Sequence, residues 1–143
     1  MQLRPPRLLE RYASATALIA QTKDEMRHAQ DSKMWDLVDN NIDAVNGRTA
    51  FDAMRAGDAA AKRVVDRYIY YVACGIINAI NIFQPEIICV GGGIGHERET
   101  LLEPLRQHIR RERYSMYATK QTKICSAELG NDAGIIGAAL LEE

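Results

Sequence analysis

Glu86-Ile87-Ile88-Cys89-Val90-Gly91-Gly92-Gly93 decides the fold. A short β-branched run, bounded by Pro85 before it and a glycine triplet after it, reads as a buried parallel strand. Glycines at the carboxyl end of a strand let backbone approach a ligand with no Cβ in the way. In α/β folds, ligands bind in that crevice. A tight strand-to-helix turn also needs glycine, so the triplet by itself admits both readings.

Working outward, Gln84-Pro85 ends the longest helix of the chain, which Asp58 caps and which runs to about Phe83. Its first half is amphipathic, with Val64, Val65, Tyr68 and Ile69 inward and Lys62, Arg63, Asp66 and Arg67 outward. Its second half is apolar nearly all round, the mark of a helix buried on several sides. After the glycines come a helix from about Glu97 to Glu112 and a strand from about Lys123 to Ala127. These complete a βαβ crossover, right-handed by rule. Gly130-Asn131-Asp132 then opens a last helix, Ala133 to Leu141, with Asn131 or Asp132 as its N-cap.

The first part of the chain reads as helical. From Leu8 to about Ala29, the residues Leu9, Tyr12, Ala13, Thr16, Ala17 and Ala20 share one stripe. A polar stretch from Asp31 to Asn41, carrying Met34, Trp35, Leu37 and Val38, reads as a short helix. Asn46-Gly47 is a turn, and Thr49 caps a helix that runs to Ala56 and stops at Gly57. Only two strands stand among six or so helices. Parallel strands normally sit inside larger sheets covered on both faces, so the chain reads as part of something larger.

At 143 residues the chain suits one domain with room for a core. Lys and Arg number 18 against 19 Asp and Glu. That balance gives no electrostatic footprint for nucleic acid or an anionic membrane. The apolar run Tyr68 to Ile77 is far below the roughly 20 residues of a membrane helix. Residues 1–7 have no apolar signal-peptide core, and the expected location is cytoplasmic. Cys74, Cys89 and Cys125 are odd in number and set among apolar residues, as reduced, buried thiols are. No zinc-finger spacing links them to each other or to His28, His96 and His108, so the expected metal ligands are none.

Three stretches together resemble the carboxyl-terminal part of the ROK family, which groups bacterial sugar kinases with sugar-responsive repressors. The first is Glu10-Arg11-Tyr12-Ala13-Ser14-Ala15-Thr16-Ala17-Leu18, similar to the helix that follows the family's zinc-binding cysteines. The second runs from Ala56-Gly57-Asp58 through Asn78-Ala79-Ile80-Asn81-Ile82-Phe83-Gln84-Pro85-Glu86 into Gly91-Gly92-Gly93. The third is Ala127-Glu128-Leu129-Gly130-Asn131-Asp132-Ala133-Gly134 with Gly137-Ala138-Ala139. The resemblance covers the chain from about Leu9 onward and looks most like a bacterial ROK glucokinase. It implies the carboxyl-terminal lobe of an actin-like ATPase fold, α/β and mostly helical with one βαβ strand pair. It also implies ATP and Mg²⁺ in the complete enzyme, a hexose substrate and a homodimer.

By the same resemblance, Gly91, Gly92 and Gly93 lie against the nucleotide. Turn amides and the following helix start are natural anion donors. Glu10 matches the glutamate that contacts sugar hydroxyls, a task suited to a carboxylate that accepts two hydrogen bonds. With its neighbouring shell absent here, Glu10 also reads as an exposed charge favoured by the helix dipole, and that plainer reading is preferred. Asn131 and Asp132 match the family's end helix, so capping is their role and no catalytic residue is assigned. Arg106, Arg110, Arg111 and Arg113 read as a solvated basic helix end. Tyr68, Tyr70, Tyr71 and Phe83 read as core or interface.

The departures are as informative. The chain has no Asp-x-Gly-x-Thr phosphate loop, no Asn-Asp pair before Glu10, no Glu-x-x-Gly-His sugar motif and no zinc loop. Arg7-Leu8-Leu9 stands where the family has Gly-Cys and one further residue. Residues 1–8 are expected to be an unrelated or disordered leader, and residues 9–143 a single domain equivalent to a truncated carboxyl lobe. The expected function is the carboxyl-terminal part of an ATP-dependent hexose kinase, inactive alone. The rival is the sugar-sensing, dimerising effector part of a ROK repressor.

Overall fold

Local chemistry sets most element boundaries in the computed structural model, which describes residues 9–114, 117–128 and 132–140. Expectations for residues 1–8, for Gly130 and Asn131, and for Leu141 lie outside the described residues. The chain divides into two compact units, residues 1–75 and 76–143.

In the first unit, the single helix expected from Leu8 to Ala29 is two: α1, Glu10–Ala13, and α2, Ala15–His28. Ser14 breaks it. Its backbone is extended (φ −84°, ψ 165°), and its hydroxyl accepts the Ala17 amide at 3.0 Å. A serine that can cap a new helix competes with continuing the old one. The stretch expected as a short helix instead forms turns and a 3-10 helix, Asp36–Val38, followed by a second, Ile42–Ala44. Trp35 pins this segment by donating its indole N–H to the Met26 and Ala29 carbonyls at 3.1 and 3.2 Å.

Helix α3 is Thr49–Arg55, and Thr49 is its first helical residue, not its cap. The Thr49 hydroxyl accepts the Asn46 amide at 3.1 Å, while Asn46 Oδ1 accepts the Arg48 amide at 2.9 Å. The turn is thus built by side chains on both sides of it. Gly57 follows with φ +85°. Helix α4 spans Ala59–Phe83, with Asp58 capping it as expected through Oδ1 to the Ala61 amide at 2.7 Å. The core of this unit is Leu18, Met26, Met34, Phe51, Val64, Val65 and Tyr68. Tyr68 satisfies its buried hydroxyl by donating to the Ala13 carbonyl at 3.0 Å.

The second half of α4 is not buried on several sides. Ala73, Ile77 and Ile80 form one buried stripe, while Ile82 and Phe83 are 71% and 77% exposed. Gln84 then takes φ 44° before Pro85 and ends the helix, its amide bonded to the Ile80 carbonyl.

In the second unit, β1 (Ile87–Val90) and β2 (Lys123–Ser126) form a two-stranded parallel sheet. Ile87 is opposite Lys123, Ile88 opposite Ile124, Cys89 opposite Cys125 and Val90 opposite Ser126. Between them lie a 3-10 helix, Gly93–Glu97, and α5, Glu99–Glu112. Helix α5 buries Leu101, Leu102, Leu105 and Ile109, and Ile124 of β2 is buried with them. Strand β1 is not buried as expected: Ile87 and Cys89 are exposed, Ile88 and Val90 half-buried. One face of the sheet has a helical cover among the described residues, and the apolar run answers to a second cover that these residues do not supply. Helix α6, Ala133–Ala139, is preceded by Asp132, whose side chain makes no capping bond.

Candidate functional site

The site forms where the two strands end, entirely within the second unit. The Ala127 amide bonds to the Val90 carbonyl at 2.9 Å, which extends the ladder one step past β2. Gly91 lies beside it, and a Cβ there would sit 3.5 Å from the Ala127 Cβ. Gly92 has φ 73° and ψ −170°, a conformation open essentially to glycine only. Its carbonyl accepts the Gly95 amide at 3.0 Å, starting the 3-10 helix. Gly95 is packed close, since a Cβ there would meet the Val90 carbonyl oxygen at 3.1 Å. The Ser126 hydroxyl donates to the Gly95 carbonyl at 3.2 Å and ties the turn to β2.

Arg98, at φ 46°, carries the chain into α5. Its carbonyl accepts the Leu101 and Leu102 amides at 3.0 and 2.8 Å. Arg106, two turns on, is not a solvated charge. Its Nε and Nη2 donate to the Ile124 carbonyl at 3.3 and 3.1 Å, and Nη1 pairs with Glu99 at 2.7 Å. Together these residues surround a cavity of about 640 Å³, lined by Gly91, Gly92, Gly95, His96, Arg98, Glu99, Leu102, Arg106, Cys125, Ser126, Ala127 and Glu128.

The cavity offers three kinds of group. Gly91 and Gly92 bring bare backbone to its edge. The start of α5 carries the amides of Glu99 and Thr100, which precede the bonds that begin at Leu101, and the positive end of a helix dipole. Arg98 and Arg106 add positive charge, partly offset by Glu99 and Glu128. This is a setting for an anionic or sugar-like group, not for a buried nucleophile. Cys89, beside the cavity wall, has its thiol pushed up from the ordinary value by the hydrogen bond with Cys125, by burial, and by the charges of Cys125 and Glu128. A raised thiol is a poor nucleophile at neutral pH.

Of the expected site residues, Gly91 and Gly92 line this cavity, whereas Gly93 opens the 3-10 helix and does not. Glu10 is the exposed first residue of α1, in the other unit, and its carboxylate has no partner among the described residues. Arg98, Glu99, Arg106 and Ser126 were not expected there. Glu103 three residues before Arg106 carries a weak signal for a structured arginine, and the two are 3.8 Å apart.

The sequence matches the ROK family over residues 7–143. The chain belongs to the ROK family. It is 35% identical over 135 residues to a glucokinase of Halalkalibacterium halodurans, covering 93% of this chain and 40% of that protein. In structure it is similar to a ROK family glucokinase from Streptomyces griseus in complex with glucose and AMPPNP, with a TM-score of 0.81 and 29% identity. That likeness covers 93% of this chain and 43% of the other. It also shares the fold of a ROK family transcriptional regulator, a homologue of the E. coli MLC protein, with a TM-score of 0.72 and 24% identity. There the likeness covers 99% of this chain and 37% of the regulator. The chain thus spans roughly two-fifths of the length of these ROK proteins. Its architecture is that of part of the ROK actin-like ATPase fold, mostly helical with one parallel strand pair among the described residues. No helix among the described residues is long and apolar enough to cross a membrane.

Proposed function

We propose that the chain is the carboxyl-terminal part of an ATP-dependent hexose kinase of the glucokinase kind, and that the cavity beyond β1 and β2 takes part of the nucleotide. The observation that carries this is the backbone of Gly92. A glycine-only conformation at the carboxyl end of a parallel strand, beside the first turn of a helix, is where α/β folds seat ligands and phosphates. The likeness to a glucokinase complexed with an ATP analogue supports the same reading.

Within this reading, Gly91 and Gly92 let the ribose or first phosphates approach, and the first amides of α5 and Arg98 meet negative charge. Gly93 supports the turn without facing the ligand. Arg106 acts indirectly, holding β2 to α5. Among the described residues no group of three His, Cys, Asp or Glu side chains could hold a metal ion. Magnesium, which is held by one or two carboxylates together with waters and substrate phosphates, would come with ATP in the complete enzyme, and no step is routed through it. By resemblance alone Glu10 is the sugar contact, a carboxylate able to accept two hydroxyl hydrogen bonds, while its exposure at the start of α1 accords with the plainer reading of a helix-start charge.

General-base catalysis needs a carboxylate within hydrogen-bond reach of the attacking hydroxyl. The motifs that resemblance assigns to that task and to phosphate binding are not in this sequence. The chain by itself therefore binds nucleotide weakly and transfers no phosphate. The regulator reading gains support only at the level of the fold, since the regulator is 24% identical. Calorimetry of the 143-residue chain with AMPPNP, beside a coupled assay with ATP, Mg²⁺ and a hexose panel, tests the proposal. Weak, salt-sensitive binding with no turnover is expected. Ordinary kinase turnover, on the order of 1–100 per second, or no AMPPNP binding at any concentration, would overturn it.

A further inference from the structure

Cys89 and Cys125 are directly opposite one another in the parallel ladder, and their sulfur atoms are 3.4 Å apart. Cys89 is exposed and Cys125 half-buried, so solvent reaches the pair from the Cys89 side. Neighbouring strands run roughly 4.7–4.9 Å apart, inside the roughly 4.4–6.8 Å between Cα atoms that a disulfide spans. Both thiols are free. We propose that Cys89 and Cys125 form a dithiol modification site that closes to an intrachain disulfide by exchange with a small disulfide of the glutathione class.

The exchange balances without any further oxidant. At alkaline pH, where a fraction of this poorly ionised thiol is deprotonated, the Cys89 thiolate, the more accessible sulfur, attacks one sulfur of the small disulfide and expels the other half as a thiolate. The Cys125 thiolate then attacks the Cys89 sulfur of the mixed disulfide and expels the second half. Two electrons pass from the protein sulfurs to the small disulfide, which leaves as two thiols. The register already holds the resolving sulfur beside the attacked one, so the second step needs side-chain rotation and no change in strand pairing. Cys125 also lines the cavity, and Cys89 stands two residues before Gly91, so the link fastens both strand ends where they form the cavity wall. The site stands whether or not a nucleotide binds there.

Cys74 on α4 is half-buried and serves as an internal control. The chain is incubated with glutathione disulfide at mildly alkaline pH, alkylated, and mapped by mass spectrometry of non-reduced peptides. The expected result is a Cys89–Cys125 linked peptide, an alkylated Cys74, and three alkylatable thiols again after dithiothreitol. The variant C125S, checked for folding by circular dichroism, should stop with one glutathione on Cys89. Recovery of Cys89 and Cys125 as separate alkylated or glutathione-bearing peptides in the unaltered chain, or a link through Cys74, overturns the proposal, and neither result depends on the variant.

Discussion

Asp58 Oδ2 accepts the backbone amide of Lys33 at 2.6 Å, joining the start of α4 to a turn 25 residues earlier in sequence. Its other oxygen caps α4 through Ala61. Burial pushes this carboxyl up, but bonds from the Ala61 and Lys33 amides, the Ser32 hydroxyl and the Ala60 amide outweigh it and hold the group below the ordinary value of 3.8.

Two outcomes are expected from that arrangement. Asp58→Ala should cost about 0.5–2 kcal/mol as a lost cap, toward the upper end because the Lys33 amide also loses its acceptor. A depressed folded-state pKa means the stabilisation is complete above the unfolded value of 3.8 and fades as pH falls through the folded one. Urea denaturation across pH should therefore show the unaltered chain converging on the variant at acid pH. A constant gap between them would contradict the role given to the carboxylate.

Gly92 and Gly93 should respond differently to the same substitution. A Cβ added at either would meet no atom within 4 Å, yet only Gly92 has positive φ. Gly92→Ala should destabilise by about 1–3 kcal/mol through backbone strain, and Gly93→Ala should stay within about 0.5 kcal/mol. Thermal denaturation of the two variants decides it, and equal losses would mean the turn is not held as described.

Arg106→Lys should behave much like Arg106→Ala, each losing about 1–2 kcal/mol, because a single ammonium cannot bond the Ile124 carbonyl twice while also pairing with Glu99. Full rescue by lysine in chemical denaturation would show that charge, not the planar fork, is what matters there.

Much of this architecture was legible because strong local signals agreed with it. Pro85 and the glycines bracket β1, and Asp58 caps α4 as a short acidic side chain should. The likeness to ROK sequences rested on motifs of that kind. What escaped were competitions between neighbours. Ser14 reads as one more residue of a helical stripe, yet its hydroxyl can start a new helix. Thr49 looks like a cap, but Asn46 and the turn claim its hydroxyl. The exposure of Ile87, Cys89, Ile82 and Phe83 has a different origin: apolar pattern records that a surface is to be covered, not whether this stretch of chain covers it. Arg106 was missed because its partner is a backbone carbonyl in β2, which carries no side-chain signature.

The uncovered surface leads to an expectation about assembly. Ile82, Phe83 and Ile87 are more than half exposed, and a two-stranded sheet presents unpaired backbone at both edges. Self-association, with a two-fold dimer as the simplest closed form, is the proposed outcome in solution. Light scattering across a dilution series should show a mass above that of the monomer at tens of micromolar, roughly the range where such exposed edges pair. A stable monomer there would refute it.

The central claim is that nucleotide sits at the ends of β1 and β2. The most direct measurement is a titration of the isotopically labelled chain with AMPPNP, followed by amide chemical shifts, for the unaltered protein and for Gly92→Val. The account predicts weak, saturable shifts at Gly91, Gly92, Gly95 and Ala127 that vanish in the variant while the rest of its spectrum remains folded. Saturable shifts confined to residues away from this cavity, or shifts there that survive Gly92→Val unchanged, would contradict it.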